Sequence, residues 1–540
     1  MEDEKEQGGK KMSILGSLFT RKKNKNKGKP TEEELFKQQD IPKQYYSQVE
    51  KNKKLLEELF KDTFDFKCEP IKIGGQKAYL TYLSTMTDKN ELSNRVIQAA
   101  TNHPTDLSFS NMIEMRELYF PSIDFKIAEN FHRVVWAILN GEAVMMVDGY
   151  NEALSLGIGL PEQRAITEPS TQTIIRGPKD GFVEGLPVNI LLVRKRLKNP
   201  RLKFEIFQIG RDSKTNVALG YINDIANEDL LKEVRERLNK IDVGALLDSG
   251  NVEEFIADKT LTPFPLVYNT ERPDSICGHL LEGKMAIFVD GSPFVLTVPT
   301  LFIDFFQASE DYYQPFIMSS FVRLVRYSSF MIALLFPSLY VAISTYHHEL
   351  MPTQLLISVQ AQREGVPFPA VIEIIIMELS FEVLREAGVR MPRVVGQTVS
   401  IVGALVIGQA AVEAGLVSNV LVIVVAFTAI ASFVSPIYSF SIATRLLRFV
   451  VIFSAAFMGL YGVLLFLIVM VIHLVSLRSF GIPYLAPVAP FQPRNQDDVF
   501  VRLPIWLNKK RPSYLYPKSP VRSEENTQPS PPDQPLGGQK

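Results

Sequence analysis

The sequence contains little cysteine and little histidine. Two of its 540 residues are cysteine and six are histidine. Cys68 and Cys277 lie far apart and fit no metal-ligand spacing, which favours ordinary side chains in a reducing compartment. His347 and His348 adjoin Glu349, but consecutive side chains splay apart instead of converging on one metal ion. We therefore expect no metal site, and we find no Ser/His/Asp or Cys/His pattern.

Motifs of nucleotide-binding enzymes are also missing. The chain has no GxxxxGK[ST] loop, and the GxG between Leu156 and Leu160 lacks the third glycine of a dinucleotide site. A formal net charge of −1 implies no strong electrostatic field around the protein. We therefore expect no cofactor, no nucleic-acid partner and no enzyme activity.

Long apolar runs are absent up to about Asp311 and frequent from Leu324 to Leu477. A membrane-spanning helix needs roughly 20 mostly apolar residues. The N-terminus, MEDEKEQGGK, lacks the apolar core of a signal peptide, so insertion is expected to depend on the later runs. Four segments qualify as spans: Leu324 to Thr345, Val394 to Leu416, Asn419 to Ser435, and Phe449 to Leu477, the longest.

The segment from Pro367 to Glu386 is ambiguous because it is apolar and yet carries Glu373, Glu378 and Glu382. Ionisable residues inside a membrane are costly and usually functional. An interfacial amphipathic helix would keep these carboxylates in water. The residues leave both interpretations open.

Basic residues beside the spans predict the orientation, since Lys and Arg collect on the cytoplasmic side. Arg323 and Arg326 precede the first span, and a basic tail follows Leu477. We therefore place both termini in the cytoplasm, which requires an even number of crossings and makes Pro367 to Glu386 interfacial or partly inserted. Five spans are the alternative, and they would place the basic tail on the outer side of the membrane. They would place on the cytoplasmic side a second group of arginines: Arg385, Arg390, Arg393, Arg445 and Arg448.

The first half of the chain alternates strand and helix patterns. Phe64 to Leu83 reads as two strands across Gly74-Gly75, Phe204 to Ile209 and Val217 to Ile222 as a second pair, and Asp229 to Leu238 as an amphipathic helix. The predicted fold is an α/β N-terminal cytoplasmic domain of two lobes, followed by an α-helical transmembrane bundle of four to five spans.

Composition divides the chain into six expected regions. They are a disordered basic arm (1–30), lobe 1 (31–105), lobe 2 (106–283), a membrane-surface coupling segment (284–320), the transmembrane domain (321–480) and a cytoplasmic tail (481–540), disordered after about residue 511.

Several dense motifs occur in order along the chain: VDGYNEA (147–153), ITEPSTQTIIRGPKDGF (166–182), NTERPD (269–274), LLEGKMAIFVDGSPFVLTVP (280–299) and RVVGQTVSIVGALVIGQAAVEAG (393–415). Together they resemble the A subunit of the GerA-type nutrient germinant receptors of endospore-forming bacteria. The resemblance runs from Lys51 to Leu503. It implies a multi-pass protein of the spore inner membrane, with its N-terminal domain on the spore-core side.

The resemblance also implies partners and an activity. The family works with a transporter-like B subunit, the expected nutrient sensor, and with a lipoprotein C subunit. The A subunit is thought to oligomerise into an ion-conducting pore. On this basis the acidic residues between Pro367 and Glu386 are an ion vestibule or a contact with the B subunit, unless the helix is merely interfacial.

One face of the helix from Val394 is suited to lining such a pore. Its apolar positions predict a constriction that closes by dewetting, and its acid favours cations. A helix selected for close packing is the alternative, since the same segment holds several small residues. The pore-lining candidates are Thr398, Val402, Val406, Gln409 and Glu413.

Two polar loops are candidate structural or subunit contacts. In RGPKDGF the glycines and proline fix a turn from which Arg176, Lys179 and Asp180 project. A site for an anionic group is possible in principle, but we favour a loop that holds two elements together or meets a neighbouring subunit. A local ion-pair network is the economical interpretation of the second loop, with Glu271, Arg272 and Asp274.

Three other functions compete with a receptor channel. A transporter predicts an internal repeat in the membrane half, and the sequence shows none. A scaffold for the B and C subunits, or a sporulation paralogue of the stage-V AF kind, stays open. An enzyme is the weakest interpretation because no nucleophile, base or metal cluster converges.

Overall fold

The structure is a computed structural model that describes residues 41–102, 109, 111–160, 168–169, 171–391, 403 and 408–522. Two five-stranded antiparallel sheets come first along the chain, and a bundle of long helices follows. The last described residues return from the bundle to the second sheet.

The first sheet forms the first lobe and has the strand order β1-β2-β4-β5-β3. Gly74 and Gly75 have φ values of 54° and 77°, as a two-residue hairpin turn requires, so the hairpin predicted there is confirmed. The elements are α1 (Val49–Leu59), β1 (Phe66–Ile73), β2 (Gln76–Leu83), α2 (Lys89–Glu91), a π-helical turn (Leu92–Ile97), α3 (Gln98–Asn102), α4 (Met112–Tyr119), β3 (Phe125–Ala128), α5 (Phe131–Leu139), β4 (Ala143–Val147) and β5 (Ala153–Leu156).

Strand β4 is buried on both faces of this sheet. Val144 and Met146 pack into the core beneath α1 and α5. Met145 and Val147 point to the opposite core, beneath α4. Since successive side chains of a strand alternate between faces, an all-apolar strand is suited to the centre of a covered sheet.

The second sheet forms the second lobe, with the strand order β6-β7-β9-β10-β8. Ile209 pairs with Thr215 across the turn, so the second predicted hairpin is confirmed. Asn227 caps the predicted amphipathic helix, which is also confirmed. The elements are α6 (Leu186–Arg196), β6 (Leu202–Ile209), β7 (Thr215–Ile222), α7 (Glu228–Lys240), α8 (Ser249–Ile256), β8 (Tyr268–Thr270), α9 (Pro273–Glu282), β9 (Met285–Val289) and β10 (Val295–Val298).

Two of the expected boundaries fall inside these sheets. β2 pairs with β4, so the first sheet crosses the lobe boundary expected between residues 105 and 106. β9 and β10 belong to the second sheet, although they lie in the expected coupling segment 284–320. In both cases the strand that completes the sheet comes from a distant part of the chain, which local composition does not indicate.

A buried ion pair joins the two lobes. Arg194 of α6 donates to both carboxylate oxygens of Asp65 at 2.7 Å, and both side chains are almost fully buried. Thr63 and Thr85 donate to the same carboxylate. The Arg194 guanidinium and these hydrogen bonds hold the pKa of Asp65 below its usual value in spite of burial.

The helical bundle contains two helices that are long and apolar enough to cross a membrane among the described residues, Phe316–Thr345 and Tyr438–Ser476. Short 3-10 turns at Phe302–Phe306 and Ser309–Tyr312 lead into it, and another follows at His348–Leu350. The helices are α10 (Phe316–Thr345), α11 (Thr353–Arg363), α12 (Ala370–Arg390), α13 (Asn419–Phe433) and α14 (Tyr438–Ser476).

Helix α14 reverses direction at Gly459, where φ is 58° and ψ is −140°. Phe440 near its start and Tyr484 beyond its end both pack on the ring of Phe302, with centroids 5.6 and 6.0 Å away. Gly462 correspondingly lies against the carbonyl of Ser454. The prediction of one span from Phe449 to Leu477 is therefore wrong, because a backbone conformation suited to glycine divides the run into two antiparallel arms.

The bundle has two ends, named here by what they contact. The near end packs on the second lobe through Phe306 and Phe440, and the far end holds Tyr346, whose hydroxyl donates to the carbonyl of Ala456 at 2.7 Å. α10 runs from the near end to the far end. α13 runs the opposite way, since Tyr340 contacts Ser418 before its start.

α12 also runs from the far end to the near end, inside the bundle. Glu373 near its start accepts a hydrogen bond from the amide of Ser418, and Arg385 near its end donates to Ser432 at 2.9 Å. Pro367 to Glu386, expected to form an interfacial or partly inserted helix, thus packs against other helices of the bundle. The packing partners are supplied by distant helices, so the glutamates alone did not indicate it.

The tail returns to the second lobe after α14. β11 (Arg478–Ser479) pairs with β12 (Ile482–Pro483), and 3-10 turns follow at Pro493–Asn495 and Ser513–Leu515. Tyr514 and Leu515 are buried in the core of the second sheet. The prediction of disorder after about residue 511 is wrong for residues 511–522, because these two apolar anchors hold them; residues 523–540 lie outside the described residues.

Replacing Leu515 with alanine is expected to destabilise the second lobe. Leu515 is fully buried, and removing a buried leucine side chain costs about 2–5 kcal/mol. The matched control is Tyr516→Ala, one residue further along, where the side chain is exposed. Thermal unfolding of the full chain in detergent should show a lower midpoint for Leu515→Ala only. Equal midpoints would contradict the docking of the tail.

Candidate functional site at the junction of lobe and bundle

An aromatic cluster fixes the bundle on the second lobe. Phe302, Phe305 and Phe306 project from one 3-10 turn between β10 and α10. The ring of Phe440 from α14 lies 5.2 Å from both Phe305 and Phe306, and Phe330 of α10 lies 5.5 Å from Phe306. Aromatic pairs contribute about 0.5–1.5 kcal/mol beyond area burial. The cluster therefore connects the first and last helices of the bundle through one turn.

Asp311 lies at the centre of a buried charge network beside this cluster. Arg326 donates to both of its carboxylate oxygens at 2.7 Å, and Arg323 donates to one at 3.3 Å. Arg323 also donates to Asp498 of the tail at 2.8 Å. Asp311 and Arg323 are almost completely buried, so each charge depends on its partners.

Arg502 extends the network to a third segment. Its guanidinium donates to the backbone carbonyls of Asp311 and Gln314 at 2.6 and 2.9 Å, and its amide donates to Ser320. Burial, together with the negative charge of Asp498, raises the pKa of Tyr312 well above its usual value, so its hydroxyl stays a donor to that carboxylate. We name Asp311, Arg323, Arg326, Asp498 and Arg502 the junction network.

The NTERPD loop connects the junction with the RGPKDGF loop. Arg272 donates to Asp274 at 2.6 Å, to the carbonyl of Pro178 at 3.0 Å and to Ser309 at 2.9 Å. Tyr313 donates to Asp274 at 2.8 Å. The backbone carbonyl of Glu271 accepts from the amide of Phe182 at 2.7 Å. Arg272 and Asp274 therefore form an ion pair in this loop, while Glu271 contributes its backbone carbonyl.

The charged side chains of RGPKDGF are placed differently from one another. Asp180 forms an ion pair with Arg196 of α6, so it faces its own lobe. Lys179 lies 3.6 Å from Glu168 in an exposed pair, and Arg176 is exposed. The three side chains therefore do not converge on one point.

The pore-lining candidates are only partly described. Thr398, Val402 and Val406 lie outside the described residues. Gln409 and Glu413 lie in a helical stretch, residues 408–413, and both side chains are exposed on the outside of the bundle.

The acidic residues of α12 pair with arginines of other helices. Glu378 accepts from Arg448 at 2.5 Å, and Glu382 forms an ion pair with Arg445. Glu373 lies 3.3 Å from Arg363 of α11. Glu373 and Glu378 are almost fully buried, so water does not surround them as on an interfacial helix.

Sequence reasoning missed these arginines as partners. Glu378 and Glu382 are four residues apart, and Arg445 and Arg448 are three apart, so each pair shares one face of its helix. The similar spacing of the two acids and the two arginines was the feature of the sequence that could have predicted this pairing. The junction network offered no such signal, because Asp311, Arg323 and Asp498 come from separate segments.

Fold and site together define a two-lobed α/β domain fixed to a helical bundle whose inner helices carry charge pairs. Residues 54–514 match the family model described as Bacillus/Clostridium GerA spore germination protein. The chain belongs to this family, which confirms the resemblance found in its motifs.

Individual relatives agree with this assignment. The chain is 46% identical over 464 residues to spore germination protein KA of Bacillus subtilis (strain 168), covering 85% of each protein. It is 39% identical over 464 residues to spore germination protein GerLA of Bacillus cereus, covering 85% of this chain and 94% of that protein.

A solved structure is also similar to part of the chain. It is the crystal structure of the N-terminal domain of the A subunit of the Bacillus megaterium spore germinant receptor GerK3. The identity is 34%, the match covers 48% of this chain and 97% of that chain, and the TM-score is 0.38.

Replacing Asp311 with asparagine is expected to loosen the junction. The change leaves two buried arginines without their shared carboxylate, and removing one partner of a buried pair costs about 3–5 kcal/mol. The control is Glu310→Gln, because Glu310 is partly exposed and lies 3.3 Å from Arg326. Unfolding midpoints of the full chain in detergent should separate the two variants, and similar midpoints would contradict the central position of Asp311.

Proposed function

We propose that this chain is the membrane subunit of a nutrient germinant receptor and that it oligomerises into a nutrient-gated cation channel. The main support for the proposal is the distribution of polar and apolar side chains in the bundle, which is the reverse of that in a water-soluble protein. Its outer surface exposes large apolar side chains such as Ile423, Phe457 and Ile472, while Glu373 and Glu378 are buried inside. This arrangement suits a lipid surround, in which ionisable side chains face the interior of a bundle.

The directions of the described helices support a proposal of six crossings of the bilayer. α10 leads outward, α12 returns, α13 returns, and the two arms of α14 add one crossing each way. Because α12 ends at the near end and α13 begins at the far end, one further crossing is proposed between them. α12 has 21 residues and is therefore about 31 Å long, close to the hydrocarbon thickness of about 30 Å. An even number keeps both termini on the spore-core side.

This arrangement resolves the conflict between the two groups of basic residues. Arg323 and Arg326 lie at the near end of α10, and the basic tail returns to the same end. Arg385 at the end of α12 and Arg445 at the start of α14 lie near Ser432 and Ser441, also toward the near end. Six crossings thus bring Arg385 and Arg445 toward the same side as the basic tail, as the positive-inside rule favours.

Oligomerisation is supported by polar side chains on the apolar exterior. Gln409 and Glu413 are exposed on the outside of the bundle, where lipid contact is costly. A neighbouring subunit or a water-filled axis would solvate them. For the proposed pore, sequence spacing predicts one shared helix face for Thr398, Val402 and Val406, with the constriction at the two valines.

The partners of the proposed receptor are a transporter-like B subunit and a lipoprotein C subunit. Nutrient binding by the B subunit opens the pore of this chain in the spore inner membrane. Movement of α10 relative to the second lobe would have to pass through the 3-10 turns at residues 302–312 and the junction network. This segment therefore remains our proposed coupling element.

Cysteine labelling tests the number of crossings. With Cys68 and Cys277 replaced by alanine, Arg390→Cys should react with a membrane-impermeant maleimide only after permeabilisation, because α12 returns the chain to the cytoplasmic side. Glu349→Cys, in the far-end loop, should react from outside. Labelling of Arg390→Cys from outside would show that α12 does not cross.

Substitutions in the pore helix test the channel. Val402→Ala and Val406→Ala should let cations leak from spores without nutrient, because a less apolar constriction dewets less readily. Glu413→Gln should change the ion preference. Ile423→Ala, on the apolar exterior of α13, is the control. Receptor abundance is measured in parallel by immunoblotting.

Unchanged release from all three pore variants at normal abundance would contradict the channel. The pore would then lie elsewhere, and a scaffold for the B and C subunits, or a paralogue of the stage-V AF kind, would explain the fold instead.

A further inference from the structure

We propose that each subunit also contains its own proton path, which runs along α12 and is separate from the pore between subunits. The inference rests on the proposed membrane position of the bundle. The path is formed by a series of charged side chains, named here the glutamate track: Glu373, Glu378, Glu382, Arg363, Arg385, Arg445 and Arg448.

The far end of the track opens into a cavity. Arg363, which lies 3.3 Å from Glu373, borders an open cavity of about 860 Å³. Ser344, His348 and Glu364 also line this cavity. Water at the far end of the bundle therefore reaches the first ion pair of the track.

The middle of the track has buried polar atoms without a hydrogen-bond partner. Glu378 bonds Arg448 through one carboxylate oxygen, while its Oε1 and the Nη2 of Arg448 have no partner among the described residues. Both side chains are 3% exposed. Buried polar atoms of this kind are usually satisfied by ordered water. Glu378 is also one turn from Glu382, so water bound at these atoms would lie beside two carboxylates.

Serine and threonine hydroxyls continue the track to the near end. Arg385, beside Glu382, donates to Ser432 at 2.9 Å. Ser432, Ser441 and Thr444 line a small cavity of about 20 Å³ that Arg326 also borders. Arg326 borders in turn a cavity of about 350 Å³ between the bundle and the second lobe. Polar groups thus occur at both ends of α12 and at Glu378 between them.

The chemistry of the track favours a proton over a larger ion. The track combines three carboxylates with four guanidinium groups. A metal cation would be bound by the carboxylates and an anion by the guanidinium groups, so neither would pass readily. The 20 Å³ cavity has room for about one water molecule, which excludes a hydrated metal cation. A proton instead passes by exchange between water and carboxylate oxygens.

Each transfer conserves atoms and charge. A hydronium ion on the far side gives its proton to the Glu378 carboxylate and becomes water. The acid then returns the proton to the next water molecule toward Glu382. Only O–H bonds form and break, and the guanidinium groups neither give up nor accept a proton.

The test uses the full chain reconstituted in vesicles that contain a fluorescent pH indicator. A potassium diffusion potential set by valinomycin drives proton entry. The unsubstituted chain should acidify the vesicles, and Glu378→Gln should lose this flux. The matched control is Glu386→Gln on the same helix, where the glutamate is exposed and paired with Arg390, and it should keep the flux.

A second variant guards against loss of folding in Glu378→Gln. Glu378→Leu with Arg448→Leu removes both charges at once, and replacing a buried ion pair by apolar residues is often neutral or stabilising. This double variant should also lack proton flux. Proton flux in either variant, or none in the unsubstituted chain, would overturn the proposal.

Rubidium flux, measured in vesicles of the same composition prepared without valinomycin because valinomycin itself carries rubidium, distinguishes this proposal from the channel. Loss of proton flux in the variants with unchanged rubidium flux supports a separate path. Absence of rubidium flux in the unsubstituted chain, with proton flux present, would count against the pore and leave the proton path standing. Equal loss of both in Glu378→Leu with Arg448→Leu would place the two ions in one pathway and refute the separate track.

Discussion

The sharing of one buried carboxylate by two arginines determines how the halves of this molecule are joined. Asp311 belongs to the segment that leaves the second sheet, while Arg323 and Arg326 belong to the first turns of α10. Neither the arginines nor the carboxylate can be buried alone without a cost of several kcal/mol. The start of the first bundle helix is therefore held at a defined position relative to the lobe, and the aromatic rings around Phe306 pack at this position.

Buried charges also require partners deeper in the bundle, along α12, but there the pairing is less complete. At the junction most charged atoms have hydrogen-bond partners, although the Nε of Arg323 does not, which suits a rigid connection. Along α12 the charges are paired, but atoms of both Glu378 and Arg448 lack partners. A set of charges with few unpaired atoms holds elements together, whereas one that requires more water permits exchange. The two networks thus use the same residue types for fixing position and for transfer.

Sequence reasoning succeeded where the determinants are local. The hairpin at Gly74-Gly75 and the capped helix after Asn227 depend on residues within a few positions of each other. The position of the lobe boundary depends on β4 joining β2 across some sixty residues of chain, which periodicity does not indicate. At Gly459 the apolar pattern continues through the reversal, so the run reads as a single span. The partners of Glu378 and Glu382 were visible as spacings but needed the packing of α12 on α14 to be recognised.

The return of the tail makes the helical bundle an insertion within the second lobe. The core of that lobe contains β7 and β9, made before the bundle, and Phe480, Val499 and Leu515, made after it. During synthesis this core stays incomplete until the last arm of α14 has been made. Completion of this core thus depends on the bundle bringing two distant parts of the chain back together. A chain whose bundle fails to fold retains an unfinished lobe with exposed apolar surface.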